Sequence, residues 1–177
     1  MNIIATNILT LDLIAVVFLC GTPAWASQNV FKADGRYEDG GGKCTIHIST
    51  SPMGGFSQLH LPAGKVSGTA IVDDITGAAF TATGMLVYTT SPIYGRPGVF
   101  LFNCRSKRTV RLVGPRHFDP SYPDGLDLFE LSSVSDDKIF FYYAPDVNQV
   151  DIQKLRTPSH LYTVDVTGSR MRRADRR

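Results

Sequence analysis

Two stretches of this chain share one rhythm, and that repetition restricts the fold more than any single motif. Residues 78–92, "AAFTATGMLVYTTSP", and residues 132–146, "SSVSDDKIFFYYAPD", each pass through a tight polar turn into a strongly β-forming run. Laid over each other, Phe80 falls on Val134, Thr81 on Ser135, Gly84 on Lys138, and "MLVY" (residues 85–88) on "IFFY" (residues 139–142). After a loop that is longer in the second copy, "VFLFNC" (99–104) corresponds to "HLYTVD" (160–165). A polar turn then leads to "RTVRLV" (108–113) in one copy and to the basic "RMRRA" (170–174) in the other. Each copy reads as strand, tight turn, strand, long loop, strand, short turn, strand. That is a four-stranded antiparallel meander, the unit from which propeller blades are made.

The remainder of the chain supports an all-β class. No helical periodicity runs beyond two turns after Ser27, while Gly and Pro punctuate short runs rich in Val, Ile, Phe, Tyr and Thr. Strands are expected over 44–49, 58–61, 77–81, 85–89, 99–104, 109–113, 129–134, 139–143, 161–166 and 169–173. Gly40-Gly41-Gly42, Gly54-Gly55, Thr83-Gly84, Asp124-Gly125 and Thr167-Gly168 supply turn residues that tolerate positive φ. Asp73-Asp74 and Asp136-Asp137 read as turn residues that bond their own backbone.

The pattern resembles the periplasmic β-propeller repeats of the Tol type. There a strand ends in a small residue, a Ser-Pro-Asp-Gly-like turn and an apolar strand follow, and after a loop an "hLYxxD" strand closes with a polar or Gly turn. Residues 131–173 fit this better than residues 78–113, and neither copy keeps the Pro of the turn. The resemblance implies propeller-like blades. A blade needs about 40 to 50 residues and a ring closes with roughly four to eight of them. The chain has room for about three, so a partial propeller is expected, with a small β-sandwich or barrel as the competing fold. Residues 27–177 then form one β-rich domain: 27–70 a cap or partial blade, 71–115 the first blade-like repeat, 116–177 the second. An unclosed set leaves apolar faces and strand edges for self-association or for a partner protein.

Residues 1–26 read as a signal peptide: an apolar stretch "LIAVVFLCG" (13–21), Pro23, then Ala24-Trp25-Ala26 before the expected cleavage at Ser27. Nine apolar residues cover about half of the roughly 20 needed to span a bilayer, so no transmembrane span is expected in the mature chain. The protein is expected in the periplasm or outside the cell. Of three Cys, Cys44 and Cys104 remain after cleavage and pair most simply as one disulfide.

The formal charge of +2 is close to neutral, but basic residues gather at 105–116 and in the tail from Arg170. An anionic partner is one reading and solvated strand edges the other; the absence of interleaved aromatics argues against nucleic acid. None of the four His pairs with another at metal-ligand spacing, and no cofactor is implied. The polar loop "GPRHFDPSYPDGLD" (114–127) brings together Arg116, His117, Asp119, Tyr122, Asp124 and Asp127 and is the first candidate for binding. Equivalent loops of stacked blades lie on one face, which adds Tyr94 and Arg96 from the first repeat and Asp146 from the second. Nucleophile-elbow, zinc-protease, P-loop and dinucleotide motifs are missing, so the reading leans away from an enzyme. The expected function is recognition of an envelope or extracellular protein through these loops. The alternatives are a carbohydrate-active hydrolase or lyase using the 114–127 loop, and a truncated propeller with no independent role.

Overall fold

The computed structural model describes residues 30–62, 69–93, 96–118, 120, 127–135, 137–145 and 160–174. Within them the chain is all-β, with three four-stranded antiparallel sheets, each an uncrossed meander. Sheet one contains β1 (Gly35–Glu38), β2 (Thr45–Thr50), β3 (Ser57–Pro62) and β4 (Thr69–Asp73). Sheet two contains β5 (Ile75–Phe80), β6 (Leu86–Thr90), β7 (Gly98–Asn103) and β8 (Arg108–Val113). Sheet three contains β9 (Leu128–Val134), β10 (Lys138–Ala144), β11 (His160–Asp165) and β12 (Arg172–Arg173). A single 3-10 turn, Pro115–His117, is the other regular element among the described residues. No helix there is long and apolar enough to cross a membrane. The expected leader at 1–26 lies outside the described residues.

Every segment expected as a strand holds one, with shifted ends. The last shrinks to Arg172–Arg173. β1 ("GRYE") and β4 ("TAIVD") were not expected: they are edge strands of sheet one, largely exposed, and an edge needs no row of apolar residues to be recognised by. With them, the region expected as a cap or partial blade (27–70) holds four strands, between residues 35 and 73, in a sheet like the other two. The first unit runs on to Asp73 and passes to the second through the single residue Asp74.

Sheet two lies between the others and is buried on both faces. Ala78, Phe80, Leu86, Tyr88 and Phe102 pack against Ile46, Ile48, Leu59 and Leu61 of sheet one. Ala79, Val87 and Val99, on the opposite face of the same strands, pack the other way, against Phe129, Leu131, Ile139 and Phe141 of sheet three. That is why β6 is buried at all five positions, where a sheet with one wet face would alternate. Burial also pushes the Tyr88 phenol above its usual pKa.

The repeat is present, but one residue out of the register read from sequence. Tyr88 pairs with Phe100 across β6 and β7, their rings stacked with centroids 5.2 Å apart. In sheet three the corresponding stacked pair facing the preceding sheet is Phe141 and Tyr162, 6.0 Å apart. Leu86 therefore corresponds to Ile139 and not to Phe140, which points to the opposite face. The sequence overlay slipped because the β5–β6 turn (81–85) is longer than the β9–β10 turn (135–137), and a one-residue slip exchanges the faces of a strand.

Sheet one carries a cross-strand ring pair on its outward face, His47 and His60, with centroids 5.3 Å apart. Two imidazoles stand there in place of apolar rings, and Ser49 Oγ lies 2.8 Å from His60 Nε2, so this face can meet water. Sheets one and two are joined by the Cys44–Cys104 disulfide between the β1–β2 and β7–β8 turns. Beside it the Asp39 carboxylate accepts the Cys44 amide at 2.7 Å. The segment before β1 adds a second tie, with Phe31 bridging to Ala78 and stacking on Tyr37.

Candidate functional site

The disulfide marks one end of sheet two, and chain crossings gather at the other. There β4 enters β5, the β6–β7 loop turns back, and β8 leaves for sheet three. Three sets of contacts fix this end. The Asp74 carbonyl accepts the Ser91 amide at 2.8 Å and its carboxylate accepts the Ile93 amide at 3.2 Å. Thr90 Oγ1 donates to the Arg96 carbonyl at 2.7 Å, holding the returning strand of the loop. Phe118, just past the 3-10 turn, stacks on Tyr143 with centroids 3.6 Å apart and meets Tyr162 edge-on at 5.0 Å. Asp73 and Asp74, expected to bond their own backbone, instead reach across: Asp73 accepts from Gln58 at 2.7 Å and Asp74 from the β6–β7 loop.

Between the β6–β7 loop and the 3-10 turn lies a recess of about 400 Å³ lined, among the described residues, by Arg96, Arg111, Gly114, Arg116 and His117. Arg111 is its structural centre. β8 has a bulge at Leu112, since Val99 faces Val113 while the next residue, Phe100, faces Arg111. The Arg111 guanidinium donates to the Pro97 carbonyl at 2.8 Å. It lies so close to Gly114 that a Cβ there would overlap it, and a Cβ at Gly98 would meet both its Nε and the Val113 carbonyl. Two glycines thus make the slot in which this side chain rests. His117 Nδ1 lies 3.1 Å from the Gly114 amide nitrogen and 3.2 Å from the Gly114 carbonyl oxygen, so the ring folds back on the backbone that opens the 3-10 turn. Arg96, Arg116 and His117 are exposed. Among the described residues neither Arg96 nor Arg116 is in an ion pair; the two pairs found are Lys32–Glu130 and Arg36–Glu38.

Of the candidates read from sequence, the fold brings Arg96, Arg116 and His117 to one recess. Asp127 is 2 % exposed and its carboxylate accepts the Tyr143 hydroxyl at 3.1 Å, so it anchors the start of β9 against β10. Tyr94, Asp119, Tyr122, Asp124 and Asp146 lie outside the described residues. Arg111 and Gly114 were not singled out, because an Arg in a strand reads as a solvated edge. The usable signal was a glycine on each of two neighbouring segments beside a strand arginine. A wider recess of about 810 Å³ opens at the disulfide end, but Asp39 lines it together with Lys43 and Arg105, so its charge is mixed. Among the described residues no group of three or more His, Cys, Asp or Glu could hold a metal ion.

Comparison with protein-family models finds no match to this chain, and comparisons with curated proteins and with solved structures find none either.

Proposed function

We propose that the chain is an exported binding module built of propeller-like blades, which recognises a protein partner through the crossover end of the stack. The observation that carries this reading is the pinned geometry of that end. The Asp74 contacts, the Arg111–Pro97 bond and the Phe118–Tyr143 stack order loop segments before any partner arrives, which lowers the entropy lost on binding. Arginine at such a surface is a good anchor. The resemblance to Tol-type repeats and the repeated stacked ring pair favour blade-like packing, and a disulfide suits an oxidising compartment.

Crosslinking in the native host, followed by capture of the tagged full chain, tests this. Arg96→Glu with Arg116→Glu should abolish recovery of the partner that the unaltered chain retains, while Arg105→Glu with Lys107→Glu, at the disulfide end, should leave it intact. Equal loss from both pairs, or no partner at all, would sink the proposal.

A further inference from the structure

We infer that the wider recess, at the disulfide end of sheet two, takes a small zwitterion: a short peptide or free amino acid whose ammonium sits on Asp39 and whose carboxylate meets Lys43 and Arg105. This site is separate from the crossover end and does not depend on the partner proposed for it. Three turns build it. The β1–β2 turn supplies Asp39 and Lys43, the β5–β6 turn Gly84, and the β7–β8 turn Arg105.

The Asp39 carboxylate is the feature that points to a ligand. The residue is 8 % exposed and its Oδ1 accepts the Cys44 amide at 2.7 Å, while Oδ2 has no hydrogen-bond or ion-pair partner among the described residues. Oδ2 is also not among the sealed-in atoms without a partner, so it is open to the recess that Asp39 lines. A half-paired carboxylate buried to this degree calls for a donor, and an ammonium supplies a charge-assisted one. Gly84 keeps the approach clear. A Cβ there would stand 2.9 Å from Oδ2, and its φ of +76° is one that a side chain resists. Thr81 fixes this turn, its hydroxyl accepting the Met85 amide and its carbonyl the Gly84 amide, each at 3.0 Å.

The opposite charge stands at the rim. Lys43 and Arg105 are exposed, and among the described residues neither is in an ion pair. Asn103 Oδ1 accepts the Arg105 amide at 3.0 Å and the Ser106 amide at 2.9 Å, which sets the turn that carries the guanidinium. A simple cation is repelled by Lys43 and Arg105 and a simple anion by Asp39, whereas a molecule of both signs satisfies each. The volume of about 810 Å³ lies in the upper part of the about 300 to 1,000 Å³ found for ligand sites, room for a peptide of a few residues.

Isothermal titration of the oxidised full chain with trialanine and with alanine, each also N-acetylated or as its C-terminal amide, provides the test. At least one of the two zwitterions should bind at one site per chain. Trialanine alone identifies a peptide site, and alanine binding as tightly identifies a site for free amino acids. Capping the ammonium or the carboxylate of whichever binds should weaken it about tenfold or more. Asp39→Asn keeps the volume and an acceptor for the Cys44 amide but loses the charge, and should cost about tenfold as well. Should that variant fail to fold, Lys43→Gln with Arg105→Gln, both at exposed positions, should still lower affinity about tenfold in a chain of unchanged circular dichroism. The site is overturned if neither zwitterion binds, if the capped forms bind as tightly, or if the Lys43 and Arg105 variant binds like the unaltered chain. Arg105→Glu with Lys107→Glu, which should spare partner capture, should abolish this titration. Silent titrations with partner capture intact would remove the zwitterion site alone, and zwitterion binding without any captured partner would remove the protein-recognition reading alone.

Discussion

At the scale of single residues, polar side chains at this protein's turns hold other backbone in place. Asp165 shows it most fully: one carboxylate oxygen accepts the Thr167 hydroxyl at 2.7 Å and the Ser169 amide at 2.9 Å, the other the Ser169 hydroxyl at 3.0 Å. The Thr167 hydroxyl and then the Ser169 amide hold its pKa down, from 3.8 to about 2. A depressed carboxylate supports the fold above its unfolded value and loses that support as pH falls through the folded one. The Ser169 amide shift should therefore titrate with a midpoint near 2 and not near 3.8, with no such titration in Asp165→Asn. A midpoint at the ordinary carboxylate value would show that the turn does not depend on this charge. The same scale explains why Arg111 does not stand apart from the basic run 105–116 in the sequence. Its surroundings come from Pro97, Gly98 and Gly114, and only the β7–β8 pairing and the bulge bring these together.

Among elements, the β8–β9 connection is held less by its own conformation than by Phe118, whose ring fills the space beside Tyr143 and Tyr162. Phe118→Ala removes that stack from a partly buried position and should cost about 2 kcal/mol, read as a lower urea midpoint. It should also speed proteolytic cleavage after Arg116, since the segment loses its anchor. An unchanged cleavage rate would mean that the 3-10 turn is held by other contacts. Elements were also where the sequence was most legible. Central strands such as β6 and β10 announce themselves because burial demands β-branched and aromatic side chains. Edge strands β1 and β4 did not, because one side of an edge strand has no partner and its side chains carry little packing signal. The register slip between the halves arises at the unequal β5–β6 and β9–β10 turns, and β6, buried at all five positions, lacks the alternation that would reveal it.

For the whole molecule, cohesion comes from two apolar layers and one covalent tie. The first layer holds sheet one to sheet two, the second holds sheet two to sheet three, and the disulfide closes a sequence separation of 60 within the first. In the chain-entropy account, a loop of that length contributes about 4 kcal/mol. Reduction, or Cys44→Ser with Cys104→Ser, should lower the melting temperature by about 8 to 16 °C. The loss should fall first on sheet one, whose outward face is the polar one, and amide exchange resolved by sheet would show it. Simultaneous loss of protection in all three sheets would mean that the stack unfolds as one unit.

The β class, the meander and the pairing of Cys44 with Cys104 are legible in the sequence, because they follow from side-chain volume, turn chemistry and cysteine number along local stretches of chain. Tertiary packing is what sets four strands between residues 35 and 73 into a sheet equal to the others, chooses which face each strand residue takes, and brings Arg96, Arg111, Arg116 and His117 to one recess. Those outcomes depend on bulges, turn lengths and contacts between segments distant in the chain, and such distances are set by packing rather than by any local pattern of residues.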